Sequence, residues 1–246
     1  GGVSYRFTGS SGDGIHWAKD CGHRITTLRP GLVPLEVSQH YLRKLEGLSL
    51  KNVRLSFFSA KVKIDSPVGE LLITRSGISG PLVLTLSGKV ADWLAELKKV
   101  FVEIDLKPAL TNEQLEARLQ REFSAHSRCS LRTTLKELLP LRLIDVSIAL
   151  LGMAPDKKVS HLTCSERGKI GSLLKGWRMD ISASQPIEEA MVTRGGVSLK
   201  DIDPRTMESR VVKGLYFCGE MIDIDGDTGG FNLQAAFSTG YLAGES

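Results

Sequence analysis

The 246-residue sequence has no run of about 18 apolar residues, so it offers no membrane-spanning helix. Its four cysteines, Cys21, Cys129, Cys164 and Cys218, lie far apart and form no CxxC pair. That excludes the spacing of a zinc site and the framework of a secreted disulfide scaffold, and points to a reducing, cytoplasmic compartment. An excess of one charge is also missing. The 32 Lys and Arg against 28 Asp and Glu leave +4 without blocks of like charge, so neither a nucleic acid nor a membrane is expected as partner. Aromatics make up 6%, and Trp17, Trp93 and Trp177 are too widely spaced for a stacking platform and read as core. There is no internal repeat, no low-complexity tract and no basic segment leading into an apolar one, as a signal peptide requires. The chain opens on Gly1-Gly2 rather than Met, which reads as a cut or processed start.

The patterning that is present changes along the chain. Residues 4–14 (SYRFTGSSGDG) are turn-rich; Ile15 and Ala18 then give a short helix an apolar face, with Gly22 as its stop. The two prolines of ITTLRPGLVPL read as a linker. From about 36 to 75, VRLSFF, AKVKI and ELLITR show period-two or β-rich character, with a turn at Ser66–Gly69: an antiparallel, barrel-like sheet. Pro81 suits the first turn of a helix over LVLTLSGKVADWL. FVEIDL (101–106) is one more strand. A helical stretch follows, in which Thr111 and Gln114 make a capping box and Leu115, Leu119 and Phe123 share a face. WRMDIS (177–182) returns to the strand period.

The densest chemistry lies between Gly214 and Gly244. Leu215–Cys218 is an apolar run suited to a covered parallel strand, within which the Cys218 thiol packs inertly. It ends at Gly219-Glu220, where a carboxylate can accept hydrogen bonds from sugar or ribityl hydroxyls. Asp223, Asp225, Asp227 and Thr228 follow, and then Gly229-Gly230 before a helix starting near Phe231, Asn232 and Leu233. Paired glycines at a helix N-terminus leave its free N–H groups open to a ligand, beside roughly half a positive charge. The alternate aspartates also suggest part of a calcium loop, but that pattern ends on Glu, and the corresponding place holds Gln234. No metal is assigned.

These stretches, with GGVSYRFTGSSGDG…AKDCGH, LRPGLVPLEV, GLSLKNV, RSGISGPLVLTLS, VTRGGVSL and TMESR, resemble in order the aminoacetone oxidase-like (BaiN-type) family of bacterial flavoproteins. The resemblance implies an α/β fold: a partial Rossmann-like FAD domain formed by the chain ends (1–35 and 191–246), a β-barrel-like domain (36–106, with a return strand at 177–190) and a helical insert (107–176). It implies an FAD-dependent oxidoreductase acting on a small-molecule substrate, an amine or an unsaturated ring, with NAD(P)H a candidate electron donor. Carried over, Gly219, Glu220, Asp227, Thr228, Gly229, Gly230, Phe231 and Asn232 would bind the flavin, Glu220 near the ribityl chain. No catalytic acid or base is assigned.

One feature of the family is missing. No GxGxxG loop follows a strand, and GSSGDG at Gly9–Gly14 does not match it. The expectation is a fragment that binds FAD weakly or not at all. The alternative is a non-catalytic binding or scaffold remnant that needs a partner chain for the nucleotide loop. The five histidines, His16, His23, His40, His126 and His161, read as surface or structural. Arg194 reads either as a turn residue or as a group facing the flavin. Ser76–Pro81 reads as a tight corner, with an anion-binding helix start as the alternative.

Overall fold

The computed structural model describes residues 1–60 and 62–246. Along the chain come helix α1 (Asp13–Asp20); strands β1 (Ile25–Gly31), β2 (Leu35–Val37), β3 (Ser49–Ser59), β4 (Val62–Asp65), β5 (Gly69–Ile73) and β6 (Gly77–Ser79); and helix α2 (Pro81–Ala95). Strand β7 (Val100–Asp105), helices α3 (Asn112–Ala125), α4 (Leu131–Thr134), α5 (Leu141–Leu151) and α6 (Cys164–Lys175), strands β8 (Trp177–Ser184) and β9 (Val192–Val197), and helix α7 (Gly229–Glu245) follow. The chain forms two units: Gly1–Glu36 with Val83–Lys98 and Ala183–Ser246, and Val37–Leu82 with Lys99–Ser182. Among the described residues no helix is long and apolar enough to cross a membrane.

The second unit is built on the period-two segments. Leu55 and Phe57 of β3, Val102 and Ile104 of β7, and Trp177 and Met179 of β8 are buried, while their sequence neighbours are more exposed. The strand order is β4-β3-β5-β6-β2-β8-β7, and β3 also pairs with β7, so the sheet closes on itself. The β3–β7 register runs antiparallel from Arg54↔Asp105 to Ser59↔Val100. Helix α3 begins at the expected box: the Thr111 hydroxyl accepts the Gln114 N–H, and the Gln114 side chain accepts the Thr111 N–H. Leu115, Leu119 and Phe123 turn inward as their spacing requires. Helix α6 is tied to β7 at its C-terminus, where Lys175 Nζ reaches Asp105 at 2.5 Å and donates to the carbonyls of Lys107 and Leu110.

In the first unit two expectations fail. Ile25–Gly31 is a strand rather than a linker, and β1 pairs antiparallel with β9 from Ile25↔Val197 to Gly31↔Val192, with an irregularity between Thr26 and Arg29. A two-stranded ribbon leaves each strand an unpaired edge, where Pro30, lacking an N–H, is tolerated. Leu215–Cys218, by contrast, joins neither sheet and makes one isolated bridge, Glu208↔Tyr216. With a single bridge for support, Phe217 is buried but Cys218 is exposed, so this thiol does not pack in a core. Of the three tryptophans Trp177 is core, whereas Trp17 is 68% exposed and Trp93 half-buried.

The core of this unit gathers Ala18, Val197, Ile202, Met207, Phe217 and Ile222. Helix α1 stops as expected, with Gly22 in the left-handed region at φ 91°. Helix α7 is apolar, yet none of its residues is buried; Phe231, Phe237 and Tyr241 are each about two-thirds exposed.

Candidate functional site

The first unit brings together residues that the sequence keeps far apart. Thr193 of β9 lies at the centre: its hydroxyl accepts the N–H groups of Val3 (2.8 Å) and Ser4 (3.1 Å), while its own N–H donates to Glu220 Oε1 at 2.7 Å. The other carboxylate oxygen of Glu220 accepts the Gly2 N–H at 3.1 Å. Residue 2 must be glycine here, because a Cβ would sit 2.3 Å from Thr193 Oγ1 and 2.4 Å from Glu220 Oε2. The chain passes between the two side chains with no room for a third.

Gly195 and Gly196 shape the other side of β9. Both lie at positive φ, and a Cβ would come within 2.4 Å of the Thr27 carbonyl oxygen at Gly195 and 2.5 Å of the Met221 carbonyl oxygen at Gly196. The segment after Glu220 can therefore lie against β9, through a parallel bridge Val197↔Ile222 and an Asp223 N–H to Val197 carbonyl bond of 3.0 Å.

Helix α7 begins at Gly229, two residues before the expected start, with Thr228 as N-cap and no side-chain cap. A Cβ would meet nothing within 4 Å at Gly229, and at Gly230 would approach only Thr228 Oγ1 at 3.9 Å. The glycines thus stand beside open space and expose the uncapped end of the helix. Asn232 fixes the preceding loop: its Oδ1 accepts the Gly226 N–H, and its Nδ2 donates to the carbonyls of Gly226 and Thr228. Both Nδ2 hydrogens thus serve the loop, while Oδ1 keeps a second lone pair and the residue also lines the cleft beside Glu220. Asp227, Thr228 and Phe231 are exposed. A cleft of about 350 Å³ is lined by Gly219, Glu220, Gly229, Asn232, Ala236 and Thr239, among others. Thr239 accepts the Gly219 N–H at 2.9 Å, tying the middle of α7 to the Glu220 turn.

Arg194 lies in β9 rather than in a turn, and its side chain is engaged within the unit. Its guanidinium donates to the Gly88 carbonyl at 2.9 Å and to both oxygens of Asp92, and approaches Asp225 at 3.5 Å. Burial opposes the charges, but for Asp92 the hydrogen bonds and charges of Arg194 and Arg29 outweigh it and hold the carboxyl below its ordinary range. Arg194 is likewise lifted above its ordinary value by Asp92, against burial. Gly31 makes room for Arg194, because a Cβ there would meet Arg194 Cγ at 2.8 Å, while at Gly88 a Cβ would stand a tight 3.1 Å from Arg194 Nη1. Among the described residues no His, Cys, Asp and Glu cluster is arranged to hold a metal ion, the three loop aspartates included.

Thr193 and Thr239 escaped sequence reasoning, as did the place of Gly2 beside Glu220. Neither threonine sits in a pattern that marks it, and Gly2 has a meaning only once Glu220 is beside it.

The family described as "HI0933-like protein barrel and H2TH domain" matches residues 29–192. The chain is 31% identical, over its whole length, to 60% of a 3-dehydro-bile acid delta(4,6)-reductase from Clostridium scindens. It is 33% identical, again over its whole length, to 58% of a ribosomal RNA dihydrouridine synthase from Escherichia coli. Over 98% of its length it is 32% identical to 57% of the Haemophilus influenzae protein of the same name. The chain thus spans about three-fifths of the length of these curated relatives.

Proposed function

The chain belongs to the HI0933-like, aminoacetone oxidase-like family of flavoproteins, and from that premise we propose that it supplies the flavin-facing part of an FAD-dependent reductase. The observation that carries this reading is the uncapped N-terminus of α7, where Gly229 lines the cleft beside Glu220 and Gly230, next to it, has free space around its Cα. The space at both glycines fits a flat ring brought close to backbone N–H groups.

Gly229, Gly230 and Phe231 would hold the pyrimidine side of the ring, with Thr228 and Asp227 at its edge and Gly219 and Glu220 toward the ribityl chain. Asn232 would act through the loop it closes. A bound flavin supplies hydride transfer. What this chain contributes is orientation and a positive helix end, which favours negative charge gathering on a ring at that place. The first unit is read as part of a Rossmann-like FAD domain, and the second as a barrel carrying a helical insert at 107–176.

The names of the relatives suggest the substrate bond. A delta(4,6)-reductase of a 3-dehydro-bile acid and a dihydrouridine synthase both saturate a ring C=C bond conjugated with a ring carbonyl. We assign the same bond class to this protein, and leave the source of electrons, NAD(P)H or another donor, to kinetics.

Titration of the purified chain with FAD and with FMN, followed by flavin fluorescence, tests the cofactor site. Binding is expected to be weak, because no GxGxxG loop is available for the nucleotide, and similar for the two flavins, because the residues named here face the ring end. Gly230→Val fills the open space and should weaken binding at least about tenfold with an unchanged circular dichroism spectrum. Equal affinity of the variant, or no binding by the unaltered chain, refutes the assignment.

A further inference from the structure

Helix α7 is made for surroundings that the first unit does not give it. From Gly229 to Gly244 it holds no Asp, Glu, Lys or Arg, and none of its residues is buried. A helix that faces water carries charged side chains on its outer face, and one that is apolar all round belongs in an interior. Leu233, Phe237 and Tyr241, four residues apart, form one stripe on the outer face and are 60%, 69% and 68% exposed. Gly230 and Gly244, seven residues to either side of Phe237, fall close to the same line. A Cβ at Gly230 would approach only Thr228 Oγ1 at 3.9 Å, and at Gly244 would meet nothing within 4 Å, so a second backbone can come close at both places.

The stripe is the same in both directions. Leu233 and Tyr241 flank Phe237 at four residues, the two glycines at seven, and the helix ends, Gly229 and Glu245, at eight. A second copy laid antiparallel about Phe237 therefore sets large side chains against large ones and glycine against glycine, the self-complementarity that a two-fold interface requires. At 1.5 Å per residue, each Glu245 comes level with the uncapped N-terminus of the facing helix, about 12 Å from the axis, where a carboxylate is favoured. Glu245 is exposed, and one of its oxygens accepts the Tyr241 hydroxyl at 2.5 Å. Two-thirds of roughly 200 Å² for each of the three large side chains is about 400 Å² per copy. With Gln234, Ser238 and the glycine backbone beside them, the pair buries about 1,000 Å², the lower edge for a specific interface and the size of a weak dimer.

We propose that α7 seats a second copy of this chain, antiparallel about Phe237, and that the partner's Glu245 closes the helix end at Gly229. The dimer stands without the flavin reading but bears on the same site. The carboxylate takes the place assigned above to a flavin ring, so the paired chain is a cofactor-free form that flavin must open.

Sedimentation velocity of the intact chain without flavin, over roughly 1–100 μM, tests this. The mass should rise with concentration from 26.8 kDa toward twice that value. Phe237→Glu sets like charges together at the axis and should weaken association at least about tenfold, with an unchanged circular dichroism spectrum because the side chain is exposed. Leu233→Lys and Tyr241→Glu should each weaken it, and the two together should associate more tightly than either alone, because position 233 of one copy meets 241 of the other only in the antiparallel register. Glu245→Gln should weaken it at least about threefold at low salt. Added FAD should shift the chain toward the monomer. A chain that stays monomeric, or that associates equally well as Phe237→Glu, overturns the proposal; the stripe then falls to a further segment of polypeptide, such as the relatives carry beyond the matched three-fifths. A double variant no tighter than the single ones overturns the antiparallel register and the proposal with it, and flavin taken up without loss of dimer refutes the partner's Glu245 at the helix end. A dimer that takes up no flavin would sink the cofactor site alone.

Discussion

Replacing Ser209 with Ala should destabilise the first unit far more than its one hydroxyl suggests. Ser209 Oγ accepts the N–H groups of Val211 (3.0 Å) and Val212 (2.9 Å), which occupies both lone pairs. Its own proton can therefore point only along the 2.6 Å contact to His23 Nε2. His23 must then carry its hydrogen on Nδ1, where it donates to the Ala18 carbonyl at 2.9 Å. The imidazole is buried and packs edge-on against Phe217 at 4.8 Å. In the variant Val211 and Val212 can turn to water, because both are well exposed, and their loss is small. His23 Nε2 has no such recourse. A buried acceptor left unmade costs roughly 1–3 kcal/mol, so the total should be near 2 kcal/mol. With a urea slope of about 2 kcal/mol per molar, the midpoint should fall by roughly 1 M. Urea unfolding followed by circular dichroism measures that shift, and the nitrogen chemical shifts of His23 report its tautomer. A change below about 0.3 M, or a hydrogen found on Nε2, refutes the reasoning.

Two further outcomes follow from the same unit. Asp201 is held at about 2, chiefly by the Arg24 side-chain hydrogen bonds and then by the Arg24 backbone N–H. A carboxyl depressed by folding adds stability above its unfolded value near 4 and loses it as pH falls toward 2. Acid titrations of unfolding should therefore show Asp201→Asn less stable at neutral pH and shallower across that window, and curves parallel to wild type would contradict the pairing. Arg194→Lys keeps the charge but not the fork that grips both oxygens of Asp92, and should lose about 1–3 kcal/mol and speed amide exchange over 223–228. Unchanged exchange there would show that Arg194 does not hold the loop.

What the sequence made legible was local. The capping box at Thr111 and Gln114, the period-two strands, Pro81 opening α2 and Gly22 closing α1 each depend on a few adjacent residues, and each stands where its pattern puts it. The failures came where a distant partner decides. Ile25–Gly31 is a strand because β9, more than 160 residues later, pairs with it despite Pro30. Leu215–Cys218 has the composition of a covered strand, but composition does not provide neighbours, and one bridge leaves Cys218 exposed. His23, read as surface or structural, is a buried structural joint whose partner, Ser209, lies 186 positions away where no local pattern names it.

The same distinction decides how Glu220 should be understood. A carboxylate just after an apolar run, beside a glycine, reads locally as a group waiting for hydroxyls. In the folded unit it already accepts two N–H groups, one from Thr193 and one from Gly2, 218 positions earlier. An ionised carboxylate offers about four lone-pair positions, so these two bonds leave acceptor capacity for a ligand in the cleft. They also fix its direction, since a carboxylate anchored through both oxygens has little rotational freedom to lose when a third partner arrives. Gly2 is indispensable on this view for a reason no local pattern contains: any side chain there would displace the anchor and with it the aim of the carboxylate. The two ends of the sequence thus form one device, and a change at residue 2 belongs among changes to the site.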